Sequence, residues 1–253
     1  MSGGEGPGWL QRSFSERPTL FEMSGHAYTA GNMPRERSVG RPGRSGPGGA
    51  LLLSGLCLTG LALIWVVAEL LPAAQARDAV ALRDFTLLSG PHVNALADLL
   101  LRLLDPLLFT VWALALVVLA LARRRPRVAL AVALVMGLAP LASEALKPLL
   151  AHPHIPAGSI YVAAASWPSG HATAAAALVL CALLVAPARL RPAVGALGAA
   201  FAAAVGCALL IRAWHMPSDV AGGYLMAALW MSLAVAGLRA AERRWPSGPS
   251  LRR

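Results

Sequence analysis

Residues 50–71, ALLLSGLCLTGLALIWVVAELL, decide the fold class of this chain. The stretch holds one charged side chain, Glu69, close to its end. A helix needs about 20 mainly apolar residues to cross the hydrocarbon core of a bilayer, and this stretch is long enough. The whole chain of 253 residues is 57% hydrophobic and 13% charged, with a mean hydropathy of +0.61. Such a composition is typical of an integral membrane protein.

Further apolar runs of similar length follow along the chain. Together they predict an all-α fold, an integral membrane bundle of six transmembrane helices. Between the first two runs, residues 77–105 alternate apolar and charged side chains at helical spacing, which predicts short extracytoplasmic interfacial helices. The six predicted spans are residues 50–71, 106–122, 128–149, 169–187, 193–213 and 219–238.

The basic residues predict the orientation of this bundle. Of the 22 Lys and Arg, 17 lie before residue 50, in the connectors 123–127 and 189–191, or after residue 238. Cytoplasmic segments of membrane proteins carry such an excess, and six spans place all four clusters on that side. A formal net charge of +10 therefore does not indicate a nucleic-acid partner, which would need the charge on one folded face.

The same patterns divide the chain into three parts in the cell (cytoplasmic) membrane. Residues 1–49 are rich in Gly, Pro, Ser and Arg, which predicts a disordered cytoplasmic tail. Residues 50–238 form the membrane domain, and residues 239–253 form a basic cytoplasmic tail. Both termini are then cytoplasmic. The connectors that follow the first, third and fifth spans carry no basic cluster and are extracytoplasmic.

One polar segment, Pro168-Ser169-Gly170-His171, leads directly into the fourth apolar run. The N-terminus of a helix exposes free backbone N–H groups that bind anions. Ser169 adds a hydroxyl group, and His171 could protonate a leaving group. The alternative is an ordinary helix start with Ser169 as its cap.

A second polar segment, His215-Met216-Pro217-Ser218-Asp219, precedes the sixth run. A carboxylate four residues after a histidine can accept the imidazole N–H and leave the opposite nitrogen as a nucleophile. Alternatively, Asp219 or Ser218 is merely a helix cap.

Lys147 lies near the outer end of the third run, at a depth where an ionisable group normally has a function or a partner. Its candidate partner is Glu144, three residues earlier on the same helical face. Glu69 is expected at the membrane interface. The three cysteines are scattered singly and predict neither a disulfide nor a metal site.

In order and spacing, these residues resemble the type 2 phosphatidic acid phosphatase superfamily of membrane lipid phosphatases. That family's pattern is Lys-x6-Arg-Pro, then Pro-Ser-Gly-His, then Ser-Arg-x5-His-x3-Asp. The resemblance implies that His215 forms a phosphohistidine, that Asp219 orients it and that His171 is the acid. It also implies that no metal or other cofactor is required. The residues implied to bind phosphate are Lys147, Ser169 and Gly170.

Two positions depart from the family's pattern. Counting from Lys147, the arginine of the first motif is replaced by His154. The Ser-Arg pair of the third motif falls on Ala208-Leu209, and Arg212 follows three residues later. On a helix this shift turns the side chain by about 60° and moves it by about 4.5 Å, so Arg212 could serve the same site. The alternatives are an arginine that snorkels to the interface and a histidine in an inert loop.

We therefore expect a membrane phosphatase that acts on a lipid phosphate or polyprenyl pyrophosphate at the outer membrane face. One rival is a catalytically impaired relative that binds lipid phosphate head groups, which the two altered arginine positions favour. A second rival is a transporter or structural membrane protein. It is disfavoured because the polar groups gather at one face and none lies along a path through the bilayer.

Overall fold

The fold is built from α-helices joined by short connectors. The computed structural model describes residues 46–154 and 160–245, all within the unit Arg44–Arg253. Every regular element in these residues is helical, which confirms the predicted all-α class. The helices are α1 (Pro47–Leu70), α2 (Pro72–Thr86), α3 (Pro91–Arg102), α4 (Pro106–Ala122), α5 (Pro126–Leu146), α6 (Gly170–Val185), α7 (Arg191–Ile211) and α8 (Pro217–Arg244).

Proline determines where most of these helices begin. Each of them except α6 has a proline within its first two positions. Proline is favourable there because the first N–H groups of a helix have no intrahelical partner and the φ angle of proline is already helical. Helix α6 instead begins at Gly170 and is capped by the side chain of Ser169. The exception therefore falls at one of the two polar segments that carry the predicted chemistry.

The protein is a multi-pass membrane protein, although six full spans are not established. A helix lies at each of the six predicted positions, but within the described residues four helices are long and apolar enough to cross a bilayer, namely α1, α5, α7 and α8. A fifth span results if α3 and α4, which meet at 52°, count as one bent segment. With 16 residues, α6 is about 24 Å long, shorter than a hydrocarbon core of about 30 Å.

The ends of the membrane domain differ slightly from the predicted boundaries. Helix α1 begins at Pro47 rather than at residue 50, and the rest of the predicted N-terminal tail lies outside the described residues. Helix α8 continues to Arg244, so the first residues of the predicted basic tail are helical. The chain meets its next helix-breaking residue only at Pro246, which explains why α8 extends beyond the apolar run.

Helix α8 is central to the packing and contacts α1, α5 and α6. Small residues on α8 allow the segment before α6 to approach closely, as in other membrane helix pairs. A methyl group added to Gly222 would collide with the Trp167 indole, and one added to Gly223 would lie 2.6 Å from the Ser169 carbonyl oxygen. The close contact between α6 and α8 therefore depends on these two glycines.

The opposite end of α6 is held by arginines. Arg123 donates a hydrogen bond from Nη1 to the carbonyl oxygen of Val185, at 2.6 Å, and Arg191 donates from Nε to that of Ala186, at 3.3 Å. The last carbonyl groups of a helix have no intrahelical partner and carry partial negative charge, so cations stabilise them. We refer to this end of the bundle as the basic end and to the end that carries residues 168–171 and 215–219 as the motif end.

The two short helices α2 and α3 cover the motif end. Their presence agrees with the prediction of short helices in 77–105, although α2 begins earlier, at Pro72. Helix α2 packs on α1, α7 and α8, and α3 packs on α7. Each supplies a carboxylate near the second polar segment: Asp78 of α2 contacts Ser218 within it, and Asp98 of α3 contacts Arg212 just before it.

Candidate active site

A histidine and a buried carboxylate form the centre of the candidate site. The Nδ1 atom of His215 lies 3.2 Å from Oδ2 of Asp219, and the same oxygen accepts a hydrogen bond from the backbone N–H of Met216 at 2.9 Å. Asp219 is fully buried and lies in the first turn of α8. The contact with Met216 caps the helix, and the contact with Nδ1 is the one that a residue orienting His215 would make. An acceptor at Nδ1 holds the proton there and leaves Nε2 free to react.

The start of α6 forms the second part of the site. The hydroxyl oxygen of Ser169 accepts a hydrogen bond from the Ala172 N–H at 3.3 Å, so Ser169 is the N-cap of α6. Its own backbone N–H donates to the carbonyl oxygen of Asp219 at 3.0 Å. This hydrogen bond joins the two polar segments directly. The N-terminus of α6 and the His215–Asp219 pair are thus held next to each other.

Lys147 lies beside the same helix end. It forms an ion pair with Glu144, with 2.7 Å between Nζ and Oε1, as the three-residue spacing predicted. A methyl group added to Gly170 would collide with the Glu144 carboxylate and lie 3.8 Å from Nζ of Lys147. A fixed cation and free helical N–H groups therefore meet at Gly170, a combination that suits a phosphate group. An incoming phosphate would compete with Glu144 for the ammonium group.

His171 lies in the first turn of α6, on the side of the nucleophile candidate. Its ring packs edge-on against Trp214, with 5.8 Å between the ring centroids. His215, Lys147 and Asp105 are close enough to interact with it electrostatically. An acid at this position could reach an oxygen on the far side of a phosphate held between α6 and His215.

Arg212 stands at the end of α7, three residues before His215, and is paired with a carboxylate. Its Nε atom lies 2.9 Å from Oδ1 of Asp98, in an ion pair whose geometry is not that of a hydrogen bond. About a third of each of these side chains is exposed. Arg212 thus faces α3 at the motif end, and no described contact links it to His171 or His215.

His154 is engaged through both of its ring nitrogens. Its Nε2 atom lies 2.9 Å from the Ser166 hydroxyl, and its Nδ1 atom lies 3.4 Å from Oε2 of Glu69. The sequence predicts only that Glu69 lies at the membrane interface, and the structure adds that the residue is buried, with 1% of its surface exposed. Helix α2 and the 151–154 segment cover the end of α1 and bury this carboxylate. The residues that follow His154, 155–159, lie outside the described part of the chain.

Asp78 is a residue of the site that the sequence reasoning missed. It accepts hydrogen bonds from the Ser218 hydroxyl at 2.6 Å and from the Ser218 N–H at 3.3 and 3.4 Å. Burial raises the pKa of Asp78, the two bonds from Ser218 oppose this shift, and the charge of Asp219 adds to it. One signal was available: Gln75, Asp78 and Leu82 recur on a single face of α2, which marks Asp78 as turned toward the bundle.

Known proteins resemble this chain in sequence pattern and in fold. The sequence profile of the PAP2 superfamily matches residues 127–243. The crystal structure of the first transmembrane PAP2-type phosphatidylglycerolphosphate phosphatase from Bacillus subtilis superposes with a TM-score of 0.63 at 19% identity. The match covers 76% of this chain and 98% of that one. No curated protein sequence matches significantly.

The matched segment contains every candidate site residue named from the sequence, from Lys147 to Asp219. The structural likeness extends beyond it to the N-terminal helices and shows the shared fold. The sequence match across α5 to α8, together with a fold shared with a transmembrane PAP2-type protein, supports the assignment of this chain to the PAP2 superfamily.

Proposed function

We propose that this protein hydrolyses a lipid phosphate or pyrophosphate monoester at the outer face of the cell membrane through a phosphohistidine. Membership of the PAP2 superfamily supports phosphatase activity in a membrane protein. One observation carries the finer proposal, the backbone hydrogen bond of 3.0 Å from Ser169 to Asp219. It brings a helix end suited to an anion next to a histidine that is oriented as a nucleophile.

The reaction would proceed in two displacements. Nε2 of His215 attacks phosphorus, the bond from phosphorus to the lipid oxygen breaks, and His171 gives that oxygen its proton. Asp219 stabilises the positive charge that develops on the imidazole. Water then attacks the phosphohistidine and gives a proton to His171. The bond from phosphorus to Nε2 breaks, so phosphate is released and His215 is restored. Lys147 and the N–H groups after Ser169 neutralise the charge on the phosphoryl oxygens.

Arg212 and His154 would complete the phosphate clamp in place of the two arginines of the family's pattern. About a third of the Arg212 side chain is exposed and Nε forms the ion pair with Asp98, so the terminal Nη groups would be the ones that bind an anion. His154 takes the position of the arginine of the first motif, and a phosphate oxygen would compete with Oε2 of Glu69 for its Nδ1. If Arg212 takes part, Arg212→Ala raises the KM for a lipid phosphate, whereas Arg102→Ala, a change to a cation elsewhere at the motif end, does not.

The outer membrane face is proposed from the distribution of basic residues. Clusters at 123–127, 189–191 and 239–244 lie at the end of the bundle opposite the candidate site. Because cytoplasmic segments are enriched in Lys and Arg, the motif end would face outward. Head-group candidates are phosphatidate, phosphatidylglycerol phosphate and polyprenyl pyrophosphate.

The test is phosphate release by the purified full-length protein in detergent from a panel of lipid phosphates. We expect His215→Ala to lower kcat by about 10³-fold or more. His92→Ala serves as the matched control, since His92 is an exposed histidine at the start of α3. Equal phosphate release by the wild type and by His215→Ala would overturn the proposed mechanism.

A second candidate function is binding of lipid phosphate head groups without turnover. It is favoured by the carboxylates that already occupy Arg212 and His154. A protein of this kind would bind a lipid phosphate in a flotation assay with vesicles and release no phosphate. In that case Lys147→Ala would weaken binding, and neither the wild type nor His215→Ala would release phosphate.

A further inference from the structure

An apolar groove begins beside the candidate phosphate site. It lies between α1, α5 and α8, has a volume of about 530 Å³, and none of the described residues that line it is charged. Trp167, which immediately precedes Pro168 and Ser169, forms part of its wall. Leu146 and Leu150 line it from either side of Lys147 in sequence. The groove and the phosphate-binding residues are therefore built from the same short segments of chain.

A specific contact joins α1 to the segment after α5 at the wall of this groove. The indole Nε1 of Trp65 donates a hydrogen bond to the carbonyl oxygen of Leu150 at 3.2 Å. This bond fixes the Trp65 ring as a wall of the groove and pairs the carbonyl group of Leu150, which lies in the turn that follows α5. The groove is thus a formed cleft between three helices.

A second cavity continues the groove toward the basic end. It has a volume of about 340 Å³, lies between α5 and α8, and shares Trp230 and Leu233 with the first. Along α5 the two cavities extend from Leu146 to Arg127, which is about 28 Å of helix. That distance is most of the hydrocarbon thickness of about 30 Å. Together they can accommodate one long chain lying along the helices.

From this arrangement we infer that the groove binds the hydrocarbon tail of the lipid phosphate whose head group occupies the Lys147–Gly170 site. The inference rests on the proposed function. It adds that the hydrocarbon tail is the part of the substrate by which the enzyme distinguishes one lipid phosphate from another. The tail passes from bilayer to groove without entering water, so the hydrophobic effect contributes little to its binding. Selection among tails therefore comes from packing and shape, and the groove favours a long single chain over a short one.

The first test fills the groove with a large side chain. Ala62 lines it from α1, and the adjacent Leu63 is 60% exposed and lines neither cavity. We expect Ala62→Trp to lower kcat/KM for eicosyl phosphate by about tenfold and to leave that for octyl phosphate unchanged. Leu63→Trp is the control and should change neither value. Equal losses for both substrates with Ala62→Trp would overturn the inference, as would no loss at all.

The second test does not depend on turnover. The full-length His215→Ala variant is labelled in mixed micelles with an eicosyl phosphate that carries a diazirine in its tail. Crosslinks are expected at 58–65, 142–150 and 226–233, and unlabelled eicosyl phosphate should displace them. If a neutral diazirine lipid gives the same crosslinks at the same level, the groove is a general lipid contact and the inference fails. If the wild type hydrolyses no lipid phosphate but the labelling is specific, the proposed reaction fails and the tail site stands.

Discussion

Replacing Asp219 by Asn separates the electrostatic role of this residue from its role as a helix cap. The Asn side-chain oxygen can still accept the Met216 N–H, so α8 keeps its cap. The same oxygen would still face Nδ1 of His215, so the replacement removes the carboxylate charge and leaves this hydrogen bond in place. For opposite charges 3.2 Å apart and an effective dielectric constant of about 20, the attraction lost is about 5 kcal/mol. That loss corresponds to a decrease in kcat of roughly 10⁴-fold.

The assay is steady-state phosphate release from a lipid phosphate, together with thermal unfolding of each variant in the same detergent. Asp84→Asn is the matched control, because Asp84 is exposed on α2 and its replacement should leave kcat unchanged. We expect Asp219→Asn to unfold within a few degrees of the wild type. A decrease in kcat of less than tenfold in a folded Asp219→Asn protein would refute the proposed orientation and stabilisation of His215.

Three further predictions concern stability. Gly223→Ala would bring a methyl group to within 2.6 Å of the Ser169 carbonyl oxygen and should destabilise the fold by about 1–3 kcal/mol. The control is Gly237→Ala on the same helix, where the methyl group meets open space and should stabilise the fold by up to about 1 kcal/mol. Ser169→Ala removes the cap of α6 and should lower the free energy of unfolding by about 1 kcal/mol, measured by denaturant titration; an unchanged value would contradict the capping role. The raised pKa of Asp78 makes its ionised form less favourable in the folded state, so its contribution to stability is full at low pH and is lost as pH rises. The Tm of Asp78→Asn relative to the wild type should therefore be higher at about pH 7 than at about pH 4, and a difference independent of pH would contradict this.

Much of the architecture follows from local sequence. The apolar runs fix where the helices lie, and prolines such as Pro106 and Pro126 fix where they begin. The pairings of His215 with Asp219 and of Lys147 with Glu144 follow from helical spacing alone. These features depend on neighbours within four residues along the chain.

Contacts between distant segments could not be predicted in the same way. Glu69 is buried because α2 and the segment around His154 fold over the end of α1, and nothing near Glu69 in sequence signals this. The bonds of Asp78 to Ser218 and of Asp98 to Arg212 likewise join helices far apart in the chain. Span length was also misjudged for α6, because the apolar run continues through Ala186 and Pro187 whereas the helix ends at Val185.

The short helix α6 has a consequence for the surrounding membrane. Its start is tied to α8 by the bond from Ser169 to Asp219, so this end cannot shift to follow the thickness of the bilayer. The shortfall of about 6 Å relative to the hydrocarbon core must then appear at the other end. There, Arg123 and Arg191 reach the last carbonyl groups of α6 and bring charge to that depth. We therefore expect the lipid leaflet to thin at the basic end, which would leave the positions of the histidines independent of bilayer thickness.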